Sequence, residues 1–290
     1  MMNHFNRLLR LLVGKLNRII GQCVVERRLQ PRRATGSNRR AFLRTAPGLL
    51  GLGCAAATVS ANASDTAGDT RSSSQRWEEL SATELVEALR QTSLVYVPIG
   101  TLEFHGPHLP LGMDAIHAHE FCLAAAEQTG GVVMPPVYWS PHGHEGWPGS
   151  VLVREETFQS LMTDIFTLVA KQGVKLMVAS TGHYPAKQEP AIRKIAKDVI
   201  QQFPETRILV LGPWCHPTDP SADHGGKKET SLMLSLRPNL VQMERLAGED
   251  AMRGIGASAV DGTSGFGRAY FEAALRNFVK RVDEARETAP

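Results

Sequence analysis

The sequence predicts an α/β chain: a mainly parallel β-sheet with helices on both faces. Short β-branched apolar runs recur along it, and each is separated from the next by a stretch long enough for a helix, not by a hairpin turn. The polar residues gather just after these runs end, where parallel sheets bind their ligands.

The first run, LVYVPI at 94–99, is continuous and apolar and stops at Gly100, as a strand buried on both faces should. Residues 115–129 then read as a helix. VVMPPV at 132–137 is the next strand, 155–171 a helix with apolar spacing, and KLMVAS at 175–180 a strand closed by Thr181-Gly182. A helix over 190–202, a strand RILVLG at 207–212 and a short helix over 228–236 come after it. A glycine-rich turn, GTSGFG at 262–267, precedes the last helix. No internal repeat is visible.

With 290 residues, 42% of them apolar, the chain can bury a sizeable core. Its formal charge of +3 hides an asymmetry. Residues 1–63 hold 11 of the 32 Lys+Arg and one acid, Glu26, so the remainder carries 21 bases against 28 acids, about −7. Such a body argues against nucleic acid or an anionic membrane as partner. Four cysteines make no disulfide framework. Cys122 reads as a small core residue, and Cys215, beside Trp214 in a loop, as exposed.

The basic leader reads as an address. Ser37-Asn38-Arg39-Arg40-Ala41-Phe42-Leu43-Arg44 is a twin arginine followed by an uncharged Gly/Ala-rich run over 45–63, with Ala61-Asn62-Ala63 as a cleavage site. Export to the periplasm or beyond by the twin-arginine machinery is the expectation. An uncut anchor, or lipidation at Cys54, is the alternative. Residues 5–20 place apolar residues at helical spacing among bases, which suits a membrane surface, an extended signal or an upstream start equally. Residues 64–75, rich in Ser, Thr, Asp and Gly, read as a flexible linker.

Nine of the ten histidines lie in the body, four of them between His105 and His119. Glu103-Phe104-His105 sets a carboxylate and an imidazole two residues apart, which in an extended loop turns both to one side, a metal-ligand spacing. Asp114 follows a Pro/Gly-rich turn and either caps the next helix or bridges cations. His183 follows the third strand, and the loop from Trp214 to Glu229 follows the fourth. His142, His144, Trp139 and Trp147 share a Pro/Gly-rich loop over 138–150, read either as a pocket wall or as tryptophan packing. His108, His117 and His119 read as supporting or core residues.

These residues carry a resemblance. PIGTLEFHGPHLPLGMD at 98–114, GWPGS at 146–150, TGH at 181–183 and HGGKKETS at 224–231 together resemble the motifs of the creatininase (creatinine amidohydrolase) family, in the same order. The resemblance implies a three-layer sandwich over 76–290 and two divalent cations, zinc, manganese or iron, sharing Asp114. Glu103 and His183 would hold one, His105 and Glu229 the other. It further implies His224, with Glu229, as the catalytic proton-moving residue, Tyr184, Trp147 and Ser150 at the substrate pocket, and a ring-like homo-oligomer of six. Where creatinine-cleaving members have a glutamate ligand two residues after the histidine of the Gly-His turn, this chain has Pro185, which moves the fifth ligand to Glu229 and argues against creatinine itself as substrate.

Two cations so held would ionise water at neutral pH and polarise a carbonyl, so hydrolysis of a small cyclic or non-peptide amide is the leading expectation. Neither Ser150 nor Ser231 lies in a GxSxG elbow, so no serine nucleophile is needed. A peptide- or formamide-cleaving enzyme and a catalytically silent metal-binding module on the same fold are the alternatives.

Overall fold

The computed structural model describes residues 75–183, 188–248, 250–256 and 258–289. The leader, the export signal and the linker to residue 74, with Tyr184 and Pro185, lie outside the described residues.

Four parallel strands form one sheet in the order β2-β1-β3-β4: β1 Leu94–Ile99, β2 Val132–Val133, β3 Leu176–Thr181 and β4 Arg207–Val210. The helices are α1 Ala82–Thr92, α2 Met113–Thr129, α3 Glu155–Ala170, α4 Gln188–Gln202, α5 Lys227–Leu236 and α6 Ser264–Glu287. Successive strand residues point to opposite sides. Val95, Val97, Ile99, Met177 and Ala179 meet Phe158, Met162, Phe166, Ile192 and Val199 of α3 and α4. Leu94, Tyr96, Leu176 and Val178 meet Phe121, Leu232, Tyr270 and Phe278 of α2, α5 and α6. The sheet is therefore covered on both faces, as the apolar runs require.

Three differences from the sequence reading have local causes. The second strand pairs only over Val132–Val133 because Pro135 and Pro136 have no N–H to give the ladder. Beyond them the chain rejoins β1, Val137 N donating to Pro98 O at 2.9 Å and Gly100 N to Val137 O at 2.8 Å. Helix α1 is not among the elements that the apolar spacing predicts. It opens on a capping box in which Ser81 Oγ accepts from Glu84 N at 3.4 Å and Ser81 N donates to Glu84 Oε2 at 2.7 Å. Cys215 is buried, not exposed: its thiol donates to Gly212 O at 2.6 Å, and burial pushes it up to about 11.

Two close approaches seat helix α2 on the sheet. A Cβ on Gly100, just past β1, would lie 2.2 Å from Ala115 N, and one on Gly182, just past β3, 2.1 Å from Asp114 O. Only bare backbone at both strand ends lets the first turn of α2 rest directly on the sheet rim.

Candidate metal centre

Helix α2 starts at Met113 with Gly112 as its N-cap. Asp114 is thus inside the first turn, and the capping role considered for it is not the one it has; its carboxylate turns inward, 1% exposed. Glu103 and His105 come from the loop after β1, pinned by Leu102 N to Tyr138 O at 3.0 Å and Glu103 N to Leu111 O at 2.9 Å. His183 follows β3, and Glu229 stands in the first turn of α5.

All five side chains meet. Asp114 Oδ1 lies 3.1 Å from His105 Nε2, which is 3.7 Å from Glu229 Oε2. Asp114 Oδ2 lies 2.9 Å from His183 Nδ1, which is 3.3 Å from Glu103 Oε2. Three groups able to hold a metal ion result among the described residues, Glu103–His105–His224, Glu103–Asp114–His183 and His105–Asp114–Glu229, each with its ligand atoms within 4.8 Å of one another. Asp114 is shared by the last two, which are fully buried. Donors about 2.1 Å from a common ion stand about 3.0–3.5 Å apart, close to the 2.9–3.7 Å seen here.

The donor chemistry fits a cation. Glu103 Oε2 and Asp114 Oδ2 are buried and meet only His183 Nδ1, at 3.3 and 2.9 Å and out of hydrogen-bond geometry, an expensive state for carboxylate oxygens unless something positive joins them. His105 Nδ1 lies 3.1 Å from the Glu103 carbonyl, which can only accept. That carbonyl fixes a proton on Nδ1, which leaves Nε2, facing Asp114 and Glu229, as the atom that would bind a cation. Burial opposes charge on His105, but Asp114, Glu229 and Glu103 outweigh it and raise its pKa to about 10. Burial likewise opposes charge on Asp114, yet His105 and His183 hold it below the ordinary carboxylate range. Burial, helped by Asp114, raises Glu229. Without a metal, the cluster balances its carboxylates by keeping protons that a cation would displace.

His224 adjoins the two buried groups. Its Nδ1 lies 3.2 Å from Glu103 Oε1, and its Nε2 is buried without a partner. Its ring stacks on His144, centroids 3.9 Å apart at 16°, and lies 4.5 Å from His105. Burial, then His105 and His144, push its pKa down to about 3, so the ring is neutral at pH 7. Its φ of 34° is left-handed, unusual for a residue with a side chain.

A cavity of about 340 Å³ opens over the cluster, lined by Glu103, His105, Asp114, Gly143, His144, His183, Ala222, Asp223, His224 and Glu229. Trp147 and Ser150, expected at the pocket, do not line it. Trp147 stacks on Phe104 at 4.7 Å, and Ser150 Oγ accepts from Phe104 N at 3.0 Å, so both brace the loop that carries Glu103. His144 of the same loop does reach the cavity. Asp223 is a residue that the motifs do not point to: it accepts from Lys228 N at 2.7 Å and Glu229 N at 3.2 Å, tying the loop to the start of α5. His108, His117 and His119 are buried, as expected of supporting residues.

Buried carboxylates and imidazoles that converge at the strand ends of a parallel sheet are how metal-dependent hydrolases are built. The creatininase family model, described as creatinine amidohydrolase, matches residues 78–281, and the chain belongs to that family. It is 28% identical to the creatinine amidohydrolase of Pseudomonas putida over 179 residues, 53% of this chain and 68% of the other. It is 28% identical to the 3-dehydro-scyllo-inosose hydrolase of Thermotoga maritima over 184 residues, 58% of each chain. Identity to the mycofactocin precursor peptide peptidase of Mycolicibacterium smegmatis is 32% over 161 residues, 53% of this chain and 62% of that one. The last two alignments thus span less than two thirds of those relatives. A solved creatinine amidohydrolase superposes with a TM-score of 0.66 at 22% identity, covering 73% of this chain and 98% of the other, which establishes a shared fold. Solved creatininases include a zinc–zinc form and a manganese form.

Proposed function

We propose that this chain is an amidohydrolase with a two-cation centre, cleaving a C–N bond of a small cyclic or non-peptide amide. The observation that carries the reading is the sharing of Asp114 between two buried ligand groups. Glu103 and His183 would complete one position, His105 and Glu229 the other. Two divalent ions there, zinc or manganese as in the solved relatives or iron, supply Lewis acidity toward a carbonyl and an acidified water at neutral pH.

The chain's own residues do the rest. His224 turns Nδ1 toward Glu103 Oε1 at 3.2 Å, which leaves its unpartnered Nε2 to take a proton and return it to the leaving nitrogen. Glu229 is oriented by Gly225 N, 2.5 Å from its Oε2. The cavity of about 340 Å³ above the buried cluster suits a small ligand.

Identity to the mycofactocin peptidase favours a second reading, trimming of a peptide end. Lactams, formamides and short peptides tested side by side separate the two. Elemental analysis should find about two metal ions per chain, and Asp114→Ala should fold yet lose both metal and turnover. A folded wild-type chain that takes up no metal would sink the proposal, and one tightly held ion without turnover would favour a silent binding module. We further propose twin-arginine export, from Arg39 and Arg40, and a homo-oligomer of six. Sequencing the N-terminus of exported protein tests the first, and the mass of the assembly in solution tests the second.

A further inference from the structure

The two oxygens of Glu103 have unlike surroundings. Oε1 lies 2.9 Å from His144 Nδ1, in hydrogen-bond geometry, while His224 Nδ1 stands farther off at 3.2 Å. Oε2 is buried without a hydrogen-bond partner and lies 3.3 Å from His183 Nδ1, within one of the candidate ligand groups. A carboxylate oxygen accepts, so His144 Nδ1 carries the proton and donates it.

His144 is held in place for this. Its ring lies parallel on His224 at 3.9 Å and meets Trp147 edge-on at 6.2 Å. Its neighbour Gly143 passes so close that a Cβ there would stand 2.6 Å from Glu103 Oε2. The loop is fastened to the fold by Val151 N to Leu102 O at 3.0 Å and by Gln188 Nε2 to Ser140 Oγ at 3.0 Å. A donor 41 residues distant in sequence is thereby delivered to the outer oxygen of Glu103 on a braced support.

We infer that His144 is a positioning residue of the metal centre: its N–H on Oε1 fixes the rotation of the Glu103 carboxylate and presents Oε2 to the Asp114–His183 pair. The inference rests on the two-cation reading of the site. Without its nearest donor, and with only the longer approach of His224 left, the carboxylate is less firmly fixed in rotation, and ordering it becomes part of the cost of binding. His144 belongs to none of the three groups able to hold an ion, so an affinity change on its replacement is not the loss of a ligand.

Zinc titration of three full-length proteins against a competing chromophoric chelator, at one pH, tests this. His144→Phe keeps a ring to stack on His224 and Trp147 but has no N–H; His144→Asn returns an amide N–H close to the position of Nδ1. Zinc affinity is expected to fall about 10–100-fold in the phenylalanine variant and to recover most of the way in the asparagine variant. Thermal unfolding of the metal-free proteins should match across the three. Wild-type affinity in the phenylalanine variant overturns the inference, as does an asparagine variant no tighter than phenylalanine, which would assign the effect to packing. If the wild-type chain itself takes up no zinc, the metal reading fails first and this inference falls with it.

Discussion

On one face of the sheet, α3 and α4 bury Phe158, Met162, Phe166, Ile192 and Val199, and Gln188 is their only fully polar buried side chain among the described residues. On the other face, α2 buries Asp114, His117 and His119 beside its alanines and Phe121, and α5 buries Glu229, Thr230 and Ser231. Both faces close over the same strands, yet only one accepts ionisable groups into the interior. The difference teaches where each kind of free energy is held. The first face stabilises chiefly by apolar burial, with Gln188 bonded to Thr181 and Ser140, whereas the second gives up part of that stabilisation to hold charges beside the strand ends.

The comparison is easiest to break at Phe158. It is fully buried on the apolar face, so Phe158→Ala should lower unfolding stability by about 3–5 kcal/mol, read by denaturant melts. Zinc affinity of the folded fraction should not move. If it does, the two faces are not separable.

His117 offers the next largest effect, on the polar face. It is fully buried against Trp214 and Phe121, with both ring nitrogens unpartnered, and burial lowers its pKa from 6.5 to about 4. Below pH 6.5 the unfolded chain takes up a proton that the folded chain refuses until about pH 4, so stability is lost as pH falls across that window. The loss attributable to this one ring is about 3 kcal/mol. His117→Phe should make the stability profile between pH 6.5 and 4 shallower by about that amount, His108, His119 and His224 carrying the remainder because burial holds them low as well, and an unchanged profile would assign the acid sensitivity to those rings.

A smaller effect sharpens the apolar side. Ser81→Ala removes the capping box of α1, whose Leu89 packs into the first face, and should cost about 1 kcal/mol with no change in metal uptake. A cost near zero would show α1 to be held by burial and not by its cap.

Much of this division is readable in the residues. The β-branched runs before Gly100 and Gly182 declare β1 and β3; Glu103, His105, Asp114 and His183 stand out by type and place, the family resemblance adds Glu229, and the five do converge. What escapes is set by contacts distant in sequence or by weak patterning. Helix α1 buries only Leu89 fully, so its apolar period is faint, although Ser81 and Glu84 have the spacing of a cap. The run at 132–137 is apolar enough for a strand, but its two prolines outweigh that and cut the pairing short. His144 reads as part of a wall, and nothing in the string links it to Glu103, because that link exists only once the loop folds back. Asp223 looks like any surface acid until the turn before α5 forms.

The left-handed backbone at His224 has a further consequence. Glycine or asparagine would relax that torsion while removing the imidazole, so sturdiness and turnover pull this position in opposite directions. A collection of variants sorted by heat tolerance alone would drift toward a tougher chain with nothing left to carry the proton.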